Sequence, residues 1–349
     1  MILKNLLRKN IAALVAKKPN ETDLPSIEKI RLDNNENPFG SPLAANYHQR
    51  ENDLLFFIKE KISRIKGVPT KHIFFGNGNF EICNRLVTAF CEPRLDNILI
   101  CTPTVDIFEQ VADIQGVAVE KVLLINDYQL DIEGIAEAID EGTKIIFLSS
   151  PNDPTSTAIA REDIEILLNN FDGLLILDET YINYAKQRSF WYEIKEYPNL
   201  VVLQNFDVAW GLSALNVSMA FASEEMIEIL NIISPKNTIS KASLEIIDRA
   251  IDNIDQINQW IKDIVMLRNF LAQELQQISI ITKVYPSETN FLLVRFNTNV
   301  NNVYEYLSEN NILVKNCHSE ILCENCLRIS VGTLQENEKL VKVLKTFTV

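Results

Sequence analysis

Between residues 97 and 205 the chain returns repeatedly to one pattern, a short run of Ile, Leu and Val followed by a polar or helix-like stretch. The runs are NILIC (97–101), VEKVLL (119–124), KIIFLSS (144–150), GLLILDE (173–179) and NLVVLQN (199–205). Stretches such as REDIEILLNNF (161–171), with helical spacing, lie between many of them. Continuous apolar strands alternating with helices form a largely parallel sheet that is covered on both faces, an α/β architecture. Ligands of such sheets sit outside the carboxyl ends of the strands. The polar residues that follow each run are therefore the ones that carry chemistry.

A helical stretch follows at 241–278, with apolar residues three and four apart in IDQINQWIKDIVMLRNFLAQELQQI. The pattern then becomes strand, helix, strand in NFLLVRF (290–296), NVYEYLSEN (302–309) and CLRISVG (326–332). This is a small α/β domain, and 349 residues suffice for one large domain and one smaller one.

A formal net charge of −14 argues against nucleic acid or an anionic membrane surface as a partner. No apolar run reaches the roughly 18 residues of a membrane span. The basic, apolar start MILKNLLRKNIAALVAKK intersperses Lys4, Arg8, Lys9, Lys17 and Lys18 among its apolar residues, which fits an amphipathic helix better than a signal peptide. Six cysteines at scattered spacings predict free thiols and a cytoplasmic protein. Cys323 and Cys326 form a CxxC with Cys317 and His318 upstream, so a zinc site is the alternative to incidental thiols.

The strand ends carry LDNNENPFG (32–40), FFGNGNFE (74–81), CTPTVDIF (101–108), SPNDPTS (150–156), LDETYINYA (177–185), NFDVAWGLSALN (205–216), SETNFLLVRF (287–296) and CLRISVGT (326–333). In this order, after LLRKNI near the start, they resemble the fold-type I pyridoxal-phosphate (PLP) aminotransferases, and most closely the histidinol-phosphate aminotransferase family. The resemblance covers essentially the whole chain. It implies a mostly parallel seven-stranded sheet between helices in a large domain at 46–265, and a small domain at 266–349 that an N-terminal segment, 1–45, joins. It also implies a dimer with active sites at the subunit interface and PLP held by a lysine Schiff base.

By this resemblance Asp178 and Tyr181 match the partner of the pyridine nitrogen and a donor to the ring oxygen. Gly78, Asn79 and Phe80 stand in the phosphate loop. Arg328 matches the arginine for the substrate's anionic end, and Asn37 the polar residue of the NENP motif. Asn20 stands at a substrate-side tyrosine, and Tyr47 matches a tyrosine that reaches the neighbouring subunit's phosphate.

The resemblance fails at its centre. Val208 stands where the Schiff-base lysine belongs, and a valine has no nitrogen. Asp207 replaces a phosphate-binding serine, and like charges about 4 Å apart repel by about 4 kcal/mol at an effective dielectric near 20. Asn216 replaces a phosphate-binding arginine, a contact of roughly 1.5–3 kcal/mol. Val105 takes the place of the ring that stacks on the cofactor. Asp153 replaces an asparagine donor, and an ionised carboxylate cannot donate. Ser156 replaces a glycine, and Asn79 and Phe80 replace small and acidic residues.

Three readings follow. The first is an inactive relative with PLP binding weak or lost, which acts as a homodimer or as a heterodimer with an active paralogue. The second is a working PLP enzyme in which Lys236 or Lys186 substitutes for the missing lysine. The third is an acidic pocket of Asp153, Asp178 and Asp207, with no lysine or arginine to balance them, that binds a cation or an amine.

Overall fold

The computed structural model describes residues 3–17, 35, 37–43, 47–48, 53–235 and 238–347. The chain opens with α1 (Lys9–Ala16) and α2 (Asp53–Lys66), then β1 (Ile73–Gly76) and α3 (Gly78–Phe90). Alternation follows through β2 (Asn97–Thr102), α4 (Ile107–Gln115), β3 (Ala118–Leu123), α5 (Ile132–Ala138), β4 (Thr143–Ser149), α6 (Arg161–Asn170) and β5 (Leu174–Asp178). The sheet is completed by β6 (Leu200–Asn205) and β7 (Ser218–Ala222). Its seven strands run in the order β1-β7-β6-β5-β4-β2-β3. The strands from β2 to β6 pair in parallel, while β7 runs antiparallel to both β6 and β1.

Successive side chains of a strand point to opposite faces, and each face has its own core. Leu99, Ile146, Leu175 and Val202 face a layer that includes α2, α5, α6 and the later α8 (Lys241–Ile251). Ile98, Ile145, Leu174 and Val201 face α3, α4 and α7 (Glu224–Ile233). Burial on both faces explains why these strands read as unbroken apolar runs.

The N-terminal expectation is corrected for residues 3–17. Leu3, Leu7, Ile11 and Val15 recur every four residues and pack with the large sheet's second core, alongside Phe90 and Ile227. The Arg8 amide donates to the Ala89 carbonyl at 3.0 Å, and its Nε lies 3.1 Å from Glu92. This apolar stripe is satisfied by α3 and α7, not by the small domain.

The long helix α9 (Ile254–Gln276) leads into β8 (Ile281–Val284), β9 (Phe291–Phe296), α10 (Val300–Glu309), β10 (Lys315–Asn316), β11 (Cys326–Ser330) and α11 (Leu334–Thr346). The boundary expected between 265 and 266 falls inside α9. The second sheet is antiparallel, ordered β10-β11-β9-β8. Leu292, Val294, Leu327 and Ile329 face α9, α10 and α11. Leu293, Cys317, Cys323 and Cys326 join the first core of the large sheet, so one apolar cluster runs under both lobes. A capping box of Thr333 and Glu336 starts α11.

Candidate functional site

Register places Ser149 beside Asp178, and Asp178 beside Leu203, at the carboxyl ends of β4, β5 and β6. Asp178 is the last residue of β5 and is 5% exposed. Its Oδ1 accepts from the Thr180 amide at 2.9 Å and the Thr180 hydroxyl at 2.6 Å. Its Oδ2 accepts from the Asn79 side-chain amide at 3.1 Å. Burial pushes the Asp178 carboxyl up from its ordinary value, against the opposing pull of these three bonds. Asn205 also donates to the Thr180 hydroxyl, at 2.9 Å.

After β6 the chain turns through Asp207 and Val208. The Asp207 amide donates to Asn205 Oδ1 at 3.2 Å, and the Leu212 amide returns to the Asp207 carbonyl at 3.0 Å. Asp207 Oδ1 is buried without a hydrogen-bond partner. Burial, then the charge of Asp178, pushes the Asp207 carboxyl up to about 6. Val208 is partly buried, and its carbonyl accepts the Tyr184 hydroxyl at 3.0 Å.

Opposite this turn lies the N-terminus of α3, a place suited to an anion. Here it is furnished from within the chain. Glu81 accepts the Asn77 amide at 2.5 Å. Gly78 has φ +79°, and a Cβ there would lie 2.3 Å from Asn216 Oδ1, so the Asn216 side chain rests on the bare Cα. Asn216 itself has φ +50°. Phe80, the next phosphate-loop candidate after Asn79, is exposed, while Val105 packs partly buried against the second core.

The third face of the site overturns the expectation of three unbalanced carboxylates. Arg328, on β11, places Nη1 2.5 Å from each carboxylate oxygen of Asp153. Tyr181 donates to Asp153 Oδ2 at 3.2 Å and meets Phe291 edge-on at 5.2 Å between ring centroids. Asp153 thus has its cation, while among the described residues Asp178 and Asp207 act on each other with no cation recorded beside them. Among the described residues no group of three or more His, Cys, Asp and Glu is placed to hold a metal ion. Cys317, Cys323 and Cys326 are buried thiols in the apolar core, and His318 Nδ1 accepts the Asn325 amide at 3.0 Å.

The remaining candidates lie apart. Asn37 sits on an exposed turn, where its Oδ1 accepts the Phe39 amide at 3.0 Å. Tyr47 donates to Glu245 of its own α8 at 2.8 Å. Lys186 is exposed. Asn20 and Lys236 lie outside the described residues. Thr180 and Asn205 belong to the cluster and escaped the sequence reading. The signal for Thr180 was present, because a hydroxyl two residues after a strand-end Asp can close a local turn onto it. Beneath the site, buried Glu179 accepts from Phe190, Ser189 and Gln204, while buried Lys66 donates to Gln204 at 3.1 Å.

A phosphorylated pyridoxal needs an amine for its aldehyde, donors for its phosphate and a free carboxylate for its ring nitrogen. At this site the amine position is Val208 and the phosphate side holds Asp207 and Asn216, while Asp178, which accepts three bonds, keeps room for a ring nitrogen on Oδ2. The described residues do not fit the group.

The two-sheet architecture with a site at the carboxyl strand ends is that of a fold-type I aminotransferase, and the chain belongs to the aminotransferase class I and II family, matching it over residues 31–344. It is similar to the histidinol-phosphate aminotransferase of Cytophaga hutchinsonii, 37% identical over 345 residues and 99% of each chain. That of Bacteroides thetaiotaomicron is 39% identical over 92% of each. Among solved structures, the histidinol-phosphate aminotransferase from Clostridium acetobutylicum superposes with a TM-score of 0.74 at 23% identity, over 84% of this chain and 89% of that one. The enzyme from Sinorhizobium meliloti, in complex with pyridoxal-5'-phosphate, gives a TM-score of 0.78 at 18% identity, over 89% and 88%.

Proposed function

We propose that this chain keeps the scaffold of the histidinol-phosphate aminotransferases but no longer transaminates, and that it acts by binding. The observation that carries this reading is Val208, a side chain without nitrogen on the turn whose Asp207 senses the charge of Asp178. The neighbouring replacements act in the same direction. Asp207 repels a phosphate, and Asn216 brings no charge to it. Loss of PLP affinity is part of the proposal.

The protein works as a dimer, either with itself or with an active paralogue. Phe56 and Phe57, 59% and 56% exposed on α2, support a subunit interface. Six buried thiols without a disulfide fit a reducing compartment, and we place the protein in the cytoplasm. Purified protein mixed with one equivalent of PLP is expected to show no saturable imine absorption band and no single lysine labelled in preference to the exposed ones after borohydride reduction. Stoichiometric, saturable labelling of one lysine, Lys236 included, would overturn the reading in favour of a working enzyme. Co-expression with the host's active enzyme and pull-down separates the two dimer forms, and recovery of homodimers alone removes the heterodimer.

A further inference from the structure

The loop after β4 is one of the places where the two lobes meet, and it carries polar contacts to the small lobe from residues three positions apart. Asp153 reaches across to Arg328 on β11, a partner 175 positions away in sequence. The two side chains are 10% and 25% exposed, so water screens the pair little. Ser156 is fully buried, at φ +64°, where a side chain is uncommon. Its carbonyl accepts the Glu288 amide at 2.8 Å, while its hydroxyl lies 2.6 Å from the Thr155 carbonyl and 3.1 Å from the Pro286 carbonyl and shares one proton between them. Pro286 and Glu288 lie in the small lobe between β8 and β9. The loop therefore holds β11 through a charge pair and the β8–β9 connection through the Glu288 amide, with the Pro286 carbonyl a second, weaker contact.

Arg328 is the guanidinium of the small sheet that faces the candidate site. A free guanidinium in a half-buried cleft recognises a carboxylate or phosphate in two-pronged fashion. Here both oxygens of Asp153 meet one nitrogen of that guanidinium, Nη1, so the carboxylate neutralises its charge, and the Tyr181 hydroxyl donates to the same carboxylate. A carboxylate fixed in the same chain competes with any free anion at an effective concentration in the millimolar range or above. An incoming oxyanion would also leave Asp153 buried without its cation, close to a second negative charge.

We propose that Asp153 is a tethered anion: it occupies Arg328, excludes carboxylate and phosphate ligands from it, and latches the small lobe to the large one in the absence of any ligand. The proposal goes beyond the loss of transamination and does not rest on it, since the pair would be present whether or not a lysine adduct forms. The contact is made by a residue at which the sequence resemblance implies an asparagine, a neutral amide that could not neutralise the guanidinium.

The test uses the full chain, with inorganic phosphate as probe, chloride at matched ionic strength as control, and no PLP. The wild-type protein is expected to show no phosphate-specific rise in melting temperature. Asp153→Asn is expected to bind phosphate at least roughly tenfold more tightly than wild type. It is also expected to exchange the Glu288 amide proton faster, because that amide bonds across the lobes. Phosphate binding gained without faster exchange overturns the latch. Faster exchange without phosphate binding overturns the exclusion, and wild type binding phosphate as tightly as the variant does the same. If Asp153→Asn does not fold, the charge swap Asp153→Arg with Arg328→Asp decides. A swap that folds and protects Glu288 better than Arg328→Asp alone supports the latch, and a swap no better than that single change overturns it.

Discussion

Replacing Asp207 by asparagine isolates the charge that the turn after β6 now carries. Burial, then Asp178, pushes this carboxyl up to about 6. Moving it there from roughly 3.9 makes ionisation in the folded state cost about 3 kcal/mol. Asp207 is only half-buried, so solvent screening reduces the working figure to about 1.5 kcal/mol. The sign follows from proton counts. Between about 4 and 6 the folded state binds more protons at this site than the unfolded state, so stability falls as pH rises through that window. Below it the carboxyl is protonated in both states and the penalty is absent, and above it the penalty is complete. Asp207→Asn removes the penalty. The variant should melt about 2 °C above wild type at pH 8 and together with it near pH 4. Calorimetric scans in buffers of matched ionic strength provide the measurement. Glu179, which burial pushes up to about 7, titrates in both proteins and cancels in the difference. An equal gain at both pH values would show a packing effect, and no gain at pH 8 would refute the electrostatic account of the turn.

Val208→Lys alone should restore no borohydride-stable PLP adduct, because Asp207 and Asn216 still oppose the phosphate; adding Asp207→Ser and Asn216→Arg should recover one, read by mass spectrometry of the labelled peptide. Phe147→Ala should destabilise the protein by roughly 3–5 kcal/mol in denaturant titration, since Phe147 is fully buried and stacks on Phe108 at 4.6 Å. A thiol reagent should titrate none of the six cysteines in the native protein and all six after denaturation, because every one is buried and free. A native count above zero would mean that a core segment opens.

The parallel core of the large sheet was legible because burial on both faces leaves a local mark. NILIC (97–101) became β2, and GLLILDE (173–179) became β5 ending on Asp178. The direction of β7 left no such mark, since the pairing of Ser218 with both Gly76 and Asn205 depends on partners far away. The site divides in the same way. Val208, Asp207 and Asn216 could be read from one contiguous stretch set against the family pattern. The pairings that decide the site's character join Asn79 to Asp178, 99 positions on, and Asp153 to Arg328, 175 positions on. Charge counting within motifs therefore missed the cation that Asp153 uses and overstated the acidity of the pocket. The packing of residues 3–17 failed to emerge for a related reason. A stripe at Leu3, Leu7, Ile11 and Val15 announces a buried face, but not the helices that bury it.

The bonds that Asn79 and Thr180 make to Asp178 bear on how chains of this kind are recognised. An aspartate at the end of β5 is the residue by which a search would infer a pyridine partner. Here it closes a turn and fastens the start of α3 to the sheet, so it has work to do with no cofactor present. Its persistence in a sequence is then evidence for the scaffold alone. Evidence for the chemistry has to be sought 30 residues further on, at Val208, whose side chain packs against the core but carries no nitrogen.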